Sequence, residues 1–427
     1  MSKNVIESQV LKTIAPNNAQ AQIIQTAAKD FISELKKNIK DAEVILGGSV
    51  AKGTFLSYKS DIDVFVRFNY NQYKDQSSKI SAILGSALKK SFPKEKIEKV
   101  HGSRDYFQIQ KDNFDFEVVP ILFIEKATDA INITDISPLH SVWINKQKKS
   151  IKDQIRLTKQ FAKAQGFYGA ESFISGFSGY ALEILTVNYK SFHQLLEAAT
   201  KWKKKQVIDI ENYHQGKDIF MEIDISKLNS PLIVVDPVDK YRNVTAALQI
   251  EKWQKFKKAA KQYIKAPNFS FFENQLISKE FATKFAKEKK RNLIYFEIKA
   301  VKGKRDVVGC KILKAIEHLK TKLEGFQIKE SDWQWEPGIP ARVYITTSKS
   351  MLPEETIKKG PPVKMTDAAK NFKLKNKKHQ IIEKEGHLHA IVPVVTRGLE
   401  ANVKQILKNK YITEKIAKII ELEVITK

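Results

Sequence analysis

Apolar positions recur at helical spacing just after Pro16. Ala21, Ile24, Ala28, Phe31, Ile32 and Leu35 form one stripe, which predicts a helix over 17–40. Shorter apolar runs follow. Residues 43–46 and 61–68 read as strands, 77–92 as an amphipathic helix, and 97–101, 106–110 and 114–119 as strands separated by turn signals, the last ended by Pro120. This alternation predicts an α/β palm-like domain ending near residue 145. From Ile151 the spacing becomes helical, with helices over 152–165, closed by Gly166, and over 177–189 and 191–202. After Ala266-Pro267, strands over 293–298, 326–335 and 343–346 enclose a helix over 307–323, an order that suggests a small mixed sheet; 399–425 reads as helical. The expected fold class is α+β and multidomain, with a palm domain at 1–145, a helical central domain at 146–265 and a mixed α/β C-terminal region at 266–427.

Charge changes this picture. The 427 residues carry 74 Lys and Arg against 48 Asp and Glu, a net +26. An excess of that size attracts polyanions and steers them at long range. Its clusters are KWKKK at 201–205, KEKKR at 287–291, KGKR at 302–305 and KLKNKKH at 373–379. Each alone fits a solvated face as well as a binding surface. Cys310 is the one cysteine, which excludes an intrachain disulfide and a thiol zinc cluster. No apolar run approaches a membrane span and the first residues lack a signal-peptide core, so a cytoplasmic, reducing location is expected.

The stretch from Gly47 to Phe68, GGSVAKGTFLSYKSDIDVFVRF, carries the sharpest chemistry. Alternate strand residues share a face, so Asp61 and Asp63 point the same way. Two such carboxylates repel unless a cation lies between them, and a pair of divalent ions is the usual answer. Upstream, Gly47, Gly48 and Ser49 offer backbone N–H groups and a hydroxyl suited to a triphosphate. A further acidic strand is present in NFDFEVVPIL, where Asp115 and Glu117 alternate onto one face.

The GS…DxD pattern resembles the nucleotidyltransferase superfamily. Three more motifs narrow it: SPLHSVW at 137–143, FYGAESFISGFSGYALEIL at 167–185 and IVVDPVDKYRNVTAAL at 233–248. Together they resemble the archaeal class I CCA-adding enzymes (tRNA nucleotidyltransferases), strongly over about 1–260 and weakly beyond. The resemblance implies template-independent addition of C, C and A to the tRNA acceptor end, with CTP and ATP as substrates and two Mg²⁺ ions as cofactor. It matches Asp61, Asp63 and Glu117 to catalytic, metal-binding carboxylates, although the family has Asp where Glu117 stands, which leaves a supporting role open for Asp115. It matches Gly48 and Ser49 to the phosphate turn, and Lys52 to a position often held by Arg. His140, Lys159 and Tyr168 match residues that hold the triphosphate and sugar, and Arg242 matches one that helps select C or A. The implied partner is tRNA, with no membrane; the oligomeric state stays open, a homodimer included.

Structural roles compete at several positions. Asp236 and Asp239 fit turn-formers near Pro237, and Arg242 could pair with either. Gly176 and Gly179 fit close helix packing, and Trp333 and Trp335 fit a strand packed on a core. A poly(A)-type or other RNA-terminal nucleotidyltransferase would share the chemistry but add one nucleotide indefinitely. A small-molecule nucleotidyltransferase leaves the net charge unexplained, and a non-catalytic RNA-binding protein leaves the carboxylates unexplained.

Overall fold

The computed structural model describes residues 3–57 and 61–427; residues 58–60, inside the stretch quoted above, lie outside the described residues. The chain forms two compact units, Met1–Gln275 and Leu276–Lys427.

The first unit opens with a helix over Lys3–Ile14 that the apolar spacing did not predict; Ile6, Val10 and Ile14 recur one turn apart and are its buried face. The stripe after Pro16 is the helix Asn18–Lys36, started by a capping box between Asn17 and Gln20. A five-stranded sheet follows in the order β1-β2-β5-β4-β3, from β1 (Ala42–Leu46), β2 (Ile62–Phe68), β3 (Ile97–Val100), β4 (Tyr106–Lys111) and β5 (Phe114–Leu122). β2 and β5 pair in parallel and the other neighbours antiparallel, so the sheet is mixed.

Alternation divides its faces. Ile62, Val64, Val66 and Phe68 of β2, with Phe116 and Val118 of β5, pack beneath the helices Asn18–Lys36 and Ile80–Ser91. Phe31 stacks on both Phe92 and Phe116, with ring centroids 4.3 and 4.0 Å apart. The odd-numbered residues of both strands, Asp63 and Glu117 among them, face the other side. β5 does not stop at Pro120 as expected but continues to Leu122. β4 pairs with β5 only as far as Val118, so Pro120 lies where its missing donor breaks no ladder on that side.

The rest of this unit is mostly helical: Ile151–Ala164, Gly179–Asn188 and Phe192–Lys201 match the helices the spacing indicated, and Ser137–Asn145 and Ile250–Lys265 add two that it did not. Gly166 closes the first of these with φ +72°. Phe161, Phe167, Phe177, Phe192, Phe256 and Tyr263 build an aromatic core among them. A small sheet of β6 (Gln206–Ile208), β7 (Leu232–Asp236) and β8 (Asp239–Asn243) joins it.

The second unit holds a sheet in the order β10-β11-β9-β15, from β9 (Asn292–Lys299), β10 (Ile328–Gln334), β11 (Ala341–Thr347) and the last strand, β15 (Lys418–Ile425). A mixed sheet was expected, but all three pairings are antiparallel. Between β11 and β15 lies a three-stranded sheet, β12 (Glu355–Pro362), β13 (Gln380–Lys384) and β14 (His387–Pro393), ordered β12-β14-β13. The expected helix over 399–425 is overturned in its second half. Only Leu399–Leu407 and the short Lys410–Thr413 are helical. In β15, Leu422 and Val424 pack on the core while Glu421 and Glu423 reach Lys279 at 2.9 and 2.7 Å, a two-residue alternation that a helix cannot satisfy. Trp333 and Trp335 pack against the same core.

Candidate active site

The site is built on the open face of the first sheet. β2 and β5 run side by side with Asp63 directly in register with Glu117. Asp61 precedes Asp63 by two residues and is exposed. Asp115 is also exposed and sits opposite Gln110, two residues before Glu117. Burial raises the Asp63 carboxyl to about 6; Asp61 adds to the rise, while Lys52 and Lys159 oppose it. Burial likewise lifts Glu117 to about 7, with the charges of Asp63 and Asp61 adding to the rise and a hydrogen bond from Gln108 opposing it. This is a set of like charges that lacks a bonded counter-cation among the described residues.

The Gly-Ser turn closes over these acids. Gly47 N–H donates to Asp63 O at 2.7 Å, tying the turn to β2. The helix Gly48–Lys52 starts at Gly48, whose φ is +56°. A Cβ there would fall 1.6 Å from Asp63 Oδ2, so only glycine admits both that backbone and the carboxylate beside it. Ser49 lies in the first turn of this helix, and Lys52 at its end is 8% exposed. Arg156 fastens the segment that follows by donating to Gly53 O at 2.7 Å and Phe55 O at 3.0 Å.

Lys52 and Lys159 come together on a residue to which sequence reasoning assigned no role. Glu183, fully buried on the otherwise apolar helix Gly179–Asn188, accepts from Lys52 at 2.7 Å, Lys159 at 2.7 Å and the Thr54 hydroxyl at 2.7 Å. Burial alone would raise its carboxyl, but the Lys159 and Lys52 ammoniums and their hydrogen bonds outweigh it and hold it near 2. Burial lowers Lys159 to about 8 in spite of Glu183, with Lys52 adding to the fall. The available signal was a single acid inside an apolar run: such a residue has to find cations or lose its charge.

Tyr168 is half-buried, and Lys163 sits 5.0 Å above its ring. Its hydroxyl lies against Gly179, where a Cβ would come within 2.7 Å of that oxygen and 3.8 Å of Lys159 Cε. At Gly176 a Cβ would meet Phe167 O at 2.3 Å, so that glycine serves a close backbone crossing. His140 and Arg242 meet at Asp236. The His140 ring stacks on Tyr180 with centroids 3.9 Å apart, and Tyr180 in turn lies 5.5 Å from Lys52 Nζ. Burial lowers the His140 pKa despite its bond to Asp236, which favours the neutral ring. A chain of contacts therefore runs from Lys52, whose charge reaches Asp63, through the Tyr180 ring and Asp236 to Arg242. Three further hydrogen bonds steady its far end: Trp143 to Glu211 at 2.7 Å, Tyr213 to Pro237 O at 2.7 Å and His214 to Lys240 O at 2.7 Å. None of these was legible from spacing, because each joins segments far apart in sequence.

Among the described residues, no three His, Cys, Asp or Glu side chains form a metal cage by themselves. That is compatible with a hard divalent cation. Mg²⁺ is held by one or two carboxylates, with water and substrate phosphates completing its shell, and unneutralised carboxylates keep apart. The all-oxygen donor set of Asp61, Asp63 and Glu117, two of them raised by mutual repulsion as well as burial, fits such an ion. Among the described residues no helix is long and apolar enough to cross a membrane.

Comparison with known proteins agrees with this layout. The nucleotidyltransferase domain family matches residues 28–139, and the second domain of tRNA nucleotidyltransferase matches residues 153–273. The chain is similar to the CCA-adding enzyme of Nanoarchaeum equitans, 35% identical over 311 residues that cover 72% of this chain and 74% of that protein. It is similar to the CCA-adding enzyme of Methanosarcina mazei, 31% identical over 379 residues, 85% of this chain and 80% of that one. In fold it resembles a cytoplasmic RNA terminal U-transferase, with TM-score 0.50, 14% identity and coverage of 65% of this chain and 100% of that structure. The carboxylate sheet thus falls within one matched domain and the Glu183 and Asp236 clusters are completed by the next, and on these matches the chain belongs to the archaeal CCA-adding enzyme family of tRNA nucleotidyltransferases.

Proposed function

We propose that this enzyme adds C, C and A without a template to the 3′ end of tRNA, taking CTP and ATP and releasing pyrophosphate. The observation that carries the reading is the register of Asp63 with Glu117 on parallel strands, with Asp61 two residues before Asp63 and the Gly47–Ser49 turn against Asp63. Asp61, Asp63 and Glu117 would hold two Mg²⁺ ions. Bound there, the ions would supply a more nucleophilic 3′-hydroxyl and offset the charge on the leaving pyrophosphate. Glu117 suits this role better than Asp115 because it is the acid in register with Asp63.

Lys52 and Lys159 give the pocket one positive charge in excess of Glu183, which attracts a triphosphate while keeping both ammoniums in place. Ser49 and the turn N–H groups add donors for the phosphates, and Tyr168 and His140 border the sugar. Arg242, 27% exposed and anchored by one nitrogen, presents its remaining donors to the base edge. RNA recognition rests on phosphates, 2′-hydroxyls and helix shape, since one enzyme serves many tRNAs, and we assign it mainly to the basic region 266–427. The location that fits such a substrate is the cytoplasm.

The test is incubation with tRNA lacking its tail and each nucleotide singly and in pairs. CTP alone should stop after two additions, ATP should add once and only after CTP, and GTP and UTP should add nothing. Unlimited growth from a single nucleotide would replace this reading with a homopolymer-adding one.

A further inference from the structure

Asp236 closes β7, a strand whose five residues are all buried, and is itself 0% exposed. A carboxylate in such a place survives only with full pairing. Four donors meet it. Oδ1 accepts from the Val238 N–H at 3.0 Å and the Tyr180 hydroxyl at 3.0 Å; Oδ2 accepts from Arg242 Nη1 at 2.8 Å and His140 Nε2 at 3.2 Å. His140 Nε2 also lies 3.2 Å from Arg242 Nη1. An ionised Asp236 cannot face a bare imidazole nitrogen, so the geometry assigns the proton to Nε2, with both N–H groups converging on one oxygen.

One buried carboxylate therefore ties together the helix Ser137–Asn145 through His140, the helix Gly179–Asn188 through Tyr180, and β8 through Arg242. It also holds its own turn, since Asp236 pairs with Asp239 across the hairpin and accepts from Val238 between them. A free arginine on a hairpin samples many rotamers, and a mobile guanidinium can turn to satisfy the acceptors of any base. Clamping one nitrogen removes most of those rotamers and narrows the directions in which the remaining donors point.

We propose that Asp236 is a positioning residue for base selection: by fixing Nη1 of Arg242 it converts a general cation into a directional reader of the incoming base. This rests on the reading in which Arg242 faces that base, and the experiment separates the two. In the full chain, kcat/KM would be measured for CTP against UTP on tRNA lacking its tail, and for ATP against GTP on tRNA ending in CC. Asp236→Asn keeps size and shape but turns one oxygen into a donor facing other donors. Both ratios should fall by about tenfold or more, the scale of one charged hydrogen bond. The same loss is expected for Arg242→Ala, and the double variant should be no worse than either single one. Tyr180→Phe, which keeps the stack on His140 and removes only a bond to Oδ1, should leave the ratios unchanged.

If Arg242→Ala preserves the ratios, the base-reading assignment fails. If Arg242→Ala lowers them and a folded Asp236→Asn does not, this proposal alone fails. Should Asp236→Asn not fold, Arg242→Lys decides: lysine restores the charge at Asp236 without the planar fork, and ratios retained by lysine would overturn the proposal.

Discussion

Replacing Glu183 by Gln removes one charge and almost no volume from a site that solvent does not reach. The carboxyl is held near 2 against 4.5 for the free group. At about 1.4 kcal/mol per pKa unit its ionised form is favoured by about 3 kcal/mol in the folded protein. Lys159, lowered from 10.5 to about 8, opposes this by a similar amount. Burial thus works against the charges of the cluster while their pairing works for them. Glutamine would leave two ammoniums, with side chains 5% and 11% exposed, without the carboxylate they share. Breaking a buried pair from one side costs about 3–5 kcal/mol. In a unit of this size that corresponds to a fall in Tm of about 5–9 °C near neutral pH. The folded pKa lies below the unfolded one, so the contribution of Glu183 is complete above about 4.5 and lost as the pH falls toward about 2. Thermal melts of wild type and variant should therefore converge on acidification. Adding Lys159→Met should recover part of the loss, because an apolar replacement removes a stranded charge. A variant melting within about 2 °C of wild type at pH 7 would refute the account of a buried, mutually dependent triad.

Asp61→Ala and Asp63→Ala should each abolish nucleotide addition while leaving tRNA affinity within a few fold, measured by single-turnover assay and filter binding on the same samples; Mg²⁺-dependent addition by either would overturn the metal assignment. Glu117→Gln should reduce kcat far more than Asp115→Asn, since only Glu117 stands in register with Asp63, and a reversed order would move the metal site along β5. With folded values raised to about 6 and 7, Asp63 and Glu117 favour the metal-free fold at low pH and cease to do so as the pH rises through that range. The gain in Tm on adding Mg²⁺ should accordingly be large near pH 8 and small near pH 5, and a pH-independent gain would place the ion elsewhere. Converting Lys373, Lys375, Lys377 and Lys378 to Gln should flatten the salt dependence of tRNA binding by about 0.7–0.9 log units for each phosphate no longer neutralised; an unchanged slope would show that this run does not touch RNA.

The carboxylate strands were readable in the sequence because a strand's period of two is rigid. Once Asp115-Phe116-Glu117 is placed on a strand its shared face follows, and the strand expected from Asp61 begins one residue later, at Ile62. What the strand period could not supply was the parallel register that selects Glu117 over Asp115, which depends on tertiary pairing. The pairing of Arg242 with Asp236 was open to the sequence because the two lie six residues apart, but Lys52, a partner of Glu183, and His140, another partner of Asp236, lie 131 and 96 residues away, and no local period reports such distances. The C-terminal half was harder for a different reason. Ile419, Ile420, Leu422, Val424 and Ile425 suit a helix or a strand by hydrophobicity alone, and the deciding fact is that β9 offers an open edge for them. The lysine clusters show the limit of charge reading. Those at 201–205, 287–291 and 373–379 each fall at a helix C-terminus, where cations oppose the negative end of the dipole, so helix stability accounts for part of their placement before any RNA is considered.

The pocket divides its acids by environment rather than by type. Among the described residues Asp63 and Glu117 have no cation bonded to them, and burial and repulsion raise them toward neutrality. Glu183 and Asp236 are at least as buried, yet both are held ionised by bonded cations or N–H donors. On the proposed assignment of Asp61, Asp63 and Glu117 to the metal, this division would protect those positions. Lys52 lies close enough to lower the Asp63 carboxyl, and an ammonium lacking another partner would be drawn onto it, neutralising the charge that a divalent ion requires. Glu183 takes both lysines at 2.7 Å; on the proposed reading this would hold them for a triphosphate and keep either from becoming the counter-ion of Asp63. Its removal should therefore raise the Mg²⁺ concentration needed for activity as well as lower stability, which separates this role from a purely structural one.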